Sequence, residues 1–266
     1  MLCNPQIWFL HIKYQSFKNI YFTANPYLLD ILMTILYILI GIICIGAFMI
    51  GTCMRFSKPE KGLEYTDWGL HFCSNIDENF KKGLNGFHAP IVDIGTPNNK
   101  KGLETLKNIV NKLDNADYLT IHLHNGKEPE YNTLLENVSE LTEYSKEKNI
   151  TLCIENLRNG FSSKPENIIN VAEETGCKIT FDIGHTPYEN RMNCIDLFSD
   201  KIYNVHTYEK ECDKIGHVAP KDLTNLKPVL DGLLNVGCDF WLIELMDVEE
   251  IINTKNMLNK YLEFHK

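Results

Sequence analysis

Six short apolar runs in this sequence each end in a side chain that can bind a metal ion or move a proton. Gly86-Phe87 ends in His88, Leu119-Thr120-Ile121 in His122, Thr151-Leu152-Cys153-Ile154 in Glu155-Asn156, Ile179-Thr180-Phe181 in Asp182-Ile183-Gly184-His185, Ile202-Tyr203-Asn204-Val205 in His206, and Phe240-Trp241-Leu242-Ile243 in Glu244. One such residue after an apolar run is commonly a solvated loop group or a satisfied core polar group. Six in succession are harder to obtain by chance, because a carboxylate at a buried strand end is costly without a partner. Three carboxylates with an imidazole make a site for one divalent cation, Mn, Zn, Mg or Co, and extra imidazoles shift the preference toward zinc. Such an ion polarises a carbonyl or phosphoryl oxygen or activates a water. Glu155 and Glu244 lie on runs far apart in sequence. They are expected to face each other across a bound substrate, one removing a proton next to a carbonyl and the other returning it. No cysteine ends a strand beside these groups, and Cys153 lies two residues inside its run, so thiolates have no part. His71, His124 and His265 carry no such context and are read as ordinary histidines.

These side chains need a frame that brings distant strand ends together. Strands are expected at Trp68–Phe72, Gly86–Pro90, Tyr118–His124, Ile150–Glu155, Lys178–Asp182, Ile202–His206 and Phe240–Glu244. Helical patterns separate them. Leu103, Leu106, Val110 and Leu113 repeat at three or four residues, as do Leu134, Val138 and Leu141, and the last helix carries Ile251, Ile252, Met257, Leu258 and Leu262. Ser163-Lys164-Pro165-Glu166 reads as a capping box and Gly176 as the C-cap of the same helix. Strands alternating with helices imply a parallel sheet with helical crossovers. So many units in one domain predict an α/β fold of the (β/α)8 TIM type, whose strand ends converge on one rim. No Rossmann or P-loop glycine motif is present. Seven strands are legible where eight are needed, so the first β/α unit is expected to be degenerate or missing.

The N-terminal fifth reads differently. From Ile31 to Cys53 there is no charge over 23 residues, against the roughly 20 that cross a bilayer as a helix. The expected division is therefore 1–53, a segment with a candidate transmembrane helix at 31–53, followed by a barrel domain over 54–266. Lys13 and Lys18 before the segment, against Arg55, Lys58 and Lys61 after it, favour a membrane-anchored protein with a cytoplasmic barrel. If translation began at Met54, the protein would be cytoplasmic with no anchor. The net charge is −9, and the nine cysteines are scattered without a C-x-x-C. An acidic surface repels phosphate backbones, so nucleic acid is not expected as a partner. The cysteine pattern fits a reducing compartment rather than a disulfide framework.

With these residues in hand, the chain resembles the xylose isomerase-like TIM-barrel superfamily, on the motifs FHAP, LTIHLH, CIEN, FDIGHT, NVH and LIEL across roughly residues 84–246. That group holds sugar and sugar-phosphate isomerases and epimerases, and also apurinic-site endonucleases. The resemblance to ketose epimerases implies one metal held by Glu155, Asp182, His206 and Glu244, with Glu155 and Glu244 also the acid/base pair and His185 a substrate-hydroxyl partner. The resemblance to the endonucleases implies a trinuclear zinc set on His88, His122, His185, His206 and His217 with the carboxylates Glu155, Asp182 and Glu244. That second pattern expects an Asp-x-His, and Ile215-Gly216-His217 stands there instead, so one zinc ligand is absent from its usual place. Val218-Ala219-Pro220-Lys221-Asp222 replaces the glycine-rich phosphate loop of many sugar-phosphate members.

The expected function is thus a metal-dependent isomerase or epimerase of a small sugar or related polyol, with His88, His122, His185 and His217 contacting substrate. The alternatives are a zinc-dependent metallohydrolase of the apurinic endonuclease type, which about three zinc ions per chain would favour, and a membrane-tethered barrel that has lost catalysis and serves as a binding module.

Overall fold

A computed structural model describes residues 49–54, 63, 65–69, 86–113, 115–124 and 126–265. The chain divides between Ala47 and Phe48, and every described residue belongs to the C-terminal unit. Eight parallel strands form one sheet curled on itself: β1 (Met49–Met54), β2 (Asp67–Gly69), β3 (Gly86–His88), β4 (Tyr118–Ile121), β5 (Thr151–Glu155), β6 (Lys178–Asp182), β7 (Ile202–Thr207) and β10 (Phe240–Ile243). Each pairs with its neighbour in sequence, and β1 closes the ring by pairing with β10 through Met49↔Phe240 and with β2 through Cys53↔Asp67. A two-stranded antiparallel hairpin, β8 (Lys210–Cys212) and β9 (Gly216–Val218), stands on the loop after β7.

Six α-helices are present among the described residues: α1 (Lys100–Val110), α2 (Tyr131–Glu147), α3 (Pro165–Thr175), α4 (Arg191–Phe198), α5 (Lys227–Asn235) and α6 (Val248–Glu263). Period-two alternation sorts the strand residues between two layers. Phe87, Leu119, Ile154, Phe181, Val205 and Trp241 join the main apolar core with helix residues such as Leu106, Leu134, Ile168, Ile195, Leu230 and Leu258. Cys53, Tyr118, Cys153, Phe240 and Leu242 form a second, smaller apolar cluster. Tyr118 donates to Asp67 Oδ2 at 2.6 Å, and the Cys53 thiol contacts Asp67 Oδ1 at 3.1 Å. The Tyr118 ring occupies the space a side chain at Gly86 would need, since a Cβ there would lie 2.0 Å from ring carbon Cζ. Gly86→Ala is therefore expected to destabilise the fold by about 1–3 kcal/mol, the usual cost of overpacking, in a denaturant titration.

The seven expected strands are β2 to β7 and β10, several of them shorter than the apolar runs because the last polar residue lies just past the ladder. The eighth was hidden. Residues 49–53 of the candidate membrane helix are strand, with Gly51, Thr52 and Cys53 buried; residues 31–48 lie outside the described residues. Among the described residues no helix is long and apolar enough to cross a membrane. The membrane anchor, and the anchored localisation built on it, are thereby overturned. An uncharged stretch is what a buried strand also looks like, and hydropathy alone does not separate the two. β1, from Met49, pairs with both β10 and β2.

The capping box is also corrected. Pro165 takes the first helical position of α3, Lys164 is the N-cap without a side-chain bond, and Ser163 Oγ donates backward to Gly160 O at 2.8 Å. Gly176 does cap α3 in the left-handed conformation, at φ 74°.

Candidate metal centre

The polar strand ends meet at the upper rim. Parallel register puts Asp182 beside His206 and Leu242 beside His206, so Glu244 emerges one pleat higher on the same side. Glu155 ends β5, pairing through Thr180 with β6. All four residues are buried, none more than 1% exposed.

Glu155 is the hub. Its Oε2 lies 2.8 Å from His88 Nε2 and 2.9 Å from His122 Nε2, while its Oε1 lies 3.1 Å from His206 Nδ1. His206 Nδ1 is also 3.0 Å from Glu244 Oε2 and 3.5 Å from Asp182 Oδ2. Asp182 is fixed from three sides. Its backbone N–H donates to Asn156 Oδ1 at 2.7 Å, its Oδ1 accepts from the His185 N–H at 2.9 Å, and its Oδ2 accepts from the Tyr208 hydroxyl at 3.1 Å. Asn156 Nδ2 returns a bond to Asp182 O at 2.9 Å, which explains the polar residue directly after Glu155.

Three sets of donors result, and within each the ligand atoms lie within 4.8 Å of one another: Glu155, Asp182, His206 and Glu244; His88, His122 and Glu155; and His185, Glu211 and His217. The histidine tautomers suit this use. His88 donates from Nδ1 to Ala89 O at 3.0 Å, His185 from Nδ1 to Asn156 O at 2.9 Å, and His217 from Nδ1 to Glu244 O at 2.6 Å. Each is thereby left with an unprotonated Nε2 in its neutral form, the arrangement in which a backbone carbonyl orients a metal-binding imidazole.

The electrostatics demand positive charge at the same point. Burial opposes ionisation of His206, but Glu155 and Asp182 overcome it and raise its pKa to about 9. Burial likewise opposes His185, yet Asp182, Glu211 and Glu155 lift it to about 10. Burial pushes Glu155 up, and His206, His88 and His122 hold it well below the usual carboxylate range. Carboxylates this deeply buried persist only against cations. Neutral imidazoles and carboxylates around a divalent ion satisfy the same balance, so the residues present fit such an ion.

Every sequence-predicted site residue lies in one of the three sets, although His88, His122, His185 and His217 stand among candidate ligands rather than apart from them. Glu211 was missed. It pairs with His217 across the β8–β9 hairpin, and its Oε2 lies 3.4 Å from His185 Nε2 and 3.4 Å from Arg158 Nε. His185 draws the Glu211 pKa down. A carboxylate therefore lies across the hairpin from His217, although position 215 itself is Ile. Alternation on either side of the turn at 213–215 was the available signal, but Glu211 ends no apolar run.

The fold and these donors define an α/β barrel whose rim can hold divalent metal ions. The chain belongs to the xylose isomerase-like TIM-barrel family, whose model matches residues 72–257. It is 46% identical over 224 residues to the uncharacterised protein MJ0008 of Methanocaldococcus jannaschii, covering 82% of this chain and 98% of that one. Among solved structures, a D-tagatose 3-epimerase-like protein superposes with a TM-score of 0.62 at 19% identity, over 76% of this chain and 90% of that one. A family 2 AP endonuclease from Brucella melitensis superposes with a TM-score of 0.55 at 14% identity, over 75% and 88%. At these identities the likeness is one of fold.

Proposed function

We propose that the chain is a metal-dependent isomerase or epimerase acting on a small sugar or related polyol, built on an eight-stranded barrel of the TIM type. One observation carries this reading: Glu155 and Glu244, from β5 and the end of β10, reach the same buried point as Asp182 and His206. These four residues would hold one divalent ion, which when bound polarises a substrate carbonyl and acidifies the adjacent C–H. Glu155 and Glu244 then act as the pair that accepts and returns the proton, and the histidines around them orient substrate hydroxyls. Three carboxylates against one divalent ion leave this centre about one unit negative, which suits a neutral polyol better than a phosphate dianion.

The test is solvent exchange. Metal-loaded protein incubated with a panel of ketoses and aldoses in D2O should introduce deuterium next to the carbonyl. Glu244→Gln should slow this by about 10²–10⁴-fold. A loaded protein that exchanges no deuterium into any sugar defeats the proposal.

A second reading is favoured by the way Glu155 belongs to two donor sets while a third set adjoins them. Three divalent ions against Glu155, Asp182, Glu211 and Glu244 leave the rim about two units positive, a match for a phosphoester. Metal analysis finding about three ions per chain, with phosphodiester cleavage, supports hydrolysis; about one ion supports the isomerase.

A further inference from the structure

Tyr208 is buried, 0% exposed, and is not itself among the candidate ligands. It follows β7 directly and touches two donor sets at once. Its hydroxyl donates to Asp182 Oδ2 at 3.1 Å, and its ring stacks on the His217 ring at 4.0 Å between centroids and 12° between planes. Oδ1 of Asp182 is already engaged by the His185 backbone N–H, so Oδ2 is the oxygen turned toward His206. Tyr208 therefore holds an oxygen of one donor set and an imidazole of another.

The surroundings are built around this side chain. A Cβ at Gly184 would lie 2.0 Å from Tyr208 Cε2, so only glycine at that position lets the ring lie where it does. The loop carrying Gly184 and His185 is tied to the hairpin by the Glu211 N–H donating to Gly184 O at 3.2 Å. It is tied again by Arg191, 1% exposed, which donates from Nε to Thr186 O at 3.0 Å and from Nη2 to Glu209 O at 2.6 Å. Tyr208 is thus clamped between the two segments whose donors it contacts.

We propose that Tyr208 is a positioning residue that couples the Glu155–Asp182–His206–Glu244 set to the His185–Glu211–His217 set, so that ordering one set orders the other. This rests on the second, multi-ion reading above, in which both sets hold metal. The phenol hydroxyl has Asp182 Oδ2 as its acceptor. Loss of a group that orients a ligand typically weakens metal binding by about 10–100-fold.

The experiment titrates the full chain, wild type, Tyr208→Phe and Tyr208→Leu, with Zn²⁺ against a chromophoric chelator. Co²⁺ absorption then reports geometry, and circular dichroism and thermal melting report the fold. Wild-type protein should show at least two classes of site. Tyr208→Phe, which keeps the ring and its stacking, should weaken one class by about 10-fold and abolish the dependence of the other class's affinity on occupancy of the first. Tyr208→Leu should weaken both and change the Co²⁺ spectrum. Wild-type protein that binds no Zn²⁺ removes the metal reading itself, and a single class of site overturns the coupling together with the multi-ion reading it rests on. Wild-type binding with Tyr208→Phe unchanged, or with melting temperature altered and both affinities intact, overturns the coupling alone.

Discussion

Glu155→Gln is expected to empty the centre of metal while leaving a folded barrel. No other residue occurs in two of the donor sets, and both its oxygens face imidazoles at 2.8–3.1 Å. The amide keeps the volume but presents an N–H₂ toward groups that themselves donate or carry charge. Metal affinity should fall by at least about 100-fold, beyond the loss seen when an orienting group alone is removed. In the ion-free protein the same change removes one of the carboxylates that hold His206 charged, and breaking a buried charge pair in this way costs about 3–5 kcal/mol. Elemental analysis after dialysis and a urea titration of the metal-free variant measure the two effects. Full metal content in Glu155→Gln would show that the rim donors do not work as a centre.

The second large effect is a dependence on pH that metal reverses. In the ion-free protein, His206 and His185 titrate at about 9 and about 10 instead of 6.5. A histidine whose folded pKa is raised stabilises the fold fully below its unfolded value and loses that contribution as pH climbs through the folded one. The ion-free barrel should therefore hold its stability up to about pH 6.5 and lose a few kcal/mol between there and pH 10. Glu155 acts in the opposite sense: its lowered pKa stabilises above the usual carboxylate range, and that share disappears as acid protonates it. Metal binding requires neutral imidazole. At pH 8 each ion that takes His206 or His185 must displace a proton, up to two in all. Calorimetry in buffers of different ionisation enthalpy counts them, and urea titrations from pH 6 to 10 follow the stability. A flat stability profile together with no proton release at pH 8 would contradict the charge assignment.

The strands were legible wherever an apolar run stopped at a polar residue, because the barrel alternates faces and ends each strand at one rim. Glu155, Asp182, His206 and Glu244 announced themselves by that position. β1 did not, since Met49–Met54 follows directly on an uncharged stretch and carries no polar end of its own. Glu211 was hidden for a different reason: it sits on a short hairpin with intermediate burial, where alternation is too brief to mark a face. Tyr208, Asn156 and Arg191 act through contacts with backbone or with other side chains, and residue type alone gives no warning of such a role.

The tyrosine lying across Gly86 has a consequence for traffic. With Tyr118, Phe240 and Leu242 clustered there, each buried to 9% exposure or less, the barrel axis is stopped below the rim. Among the described residues the axis is thus filled from below, which leaves the rim as the side from which a molecule reaches the centre; release past that rim, if slow, would set the pace of turnover without any change to the reacting groups.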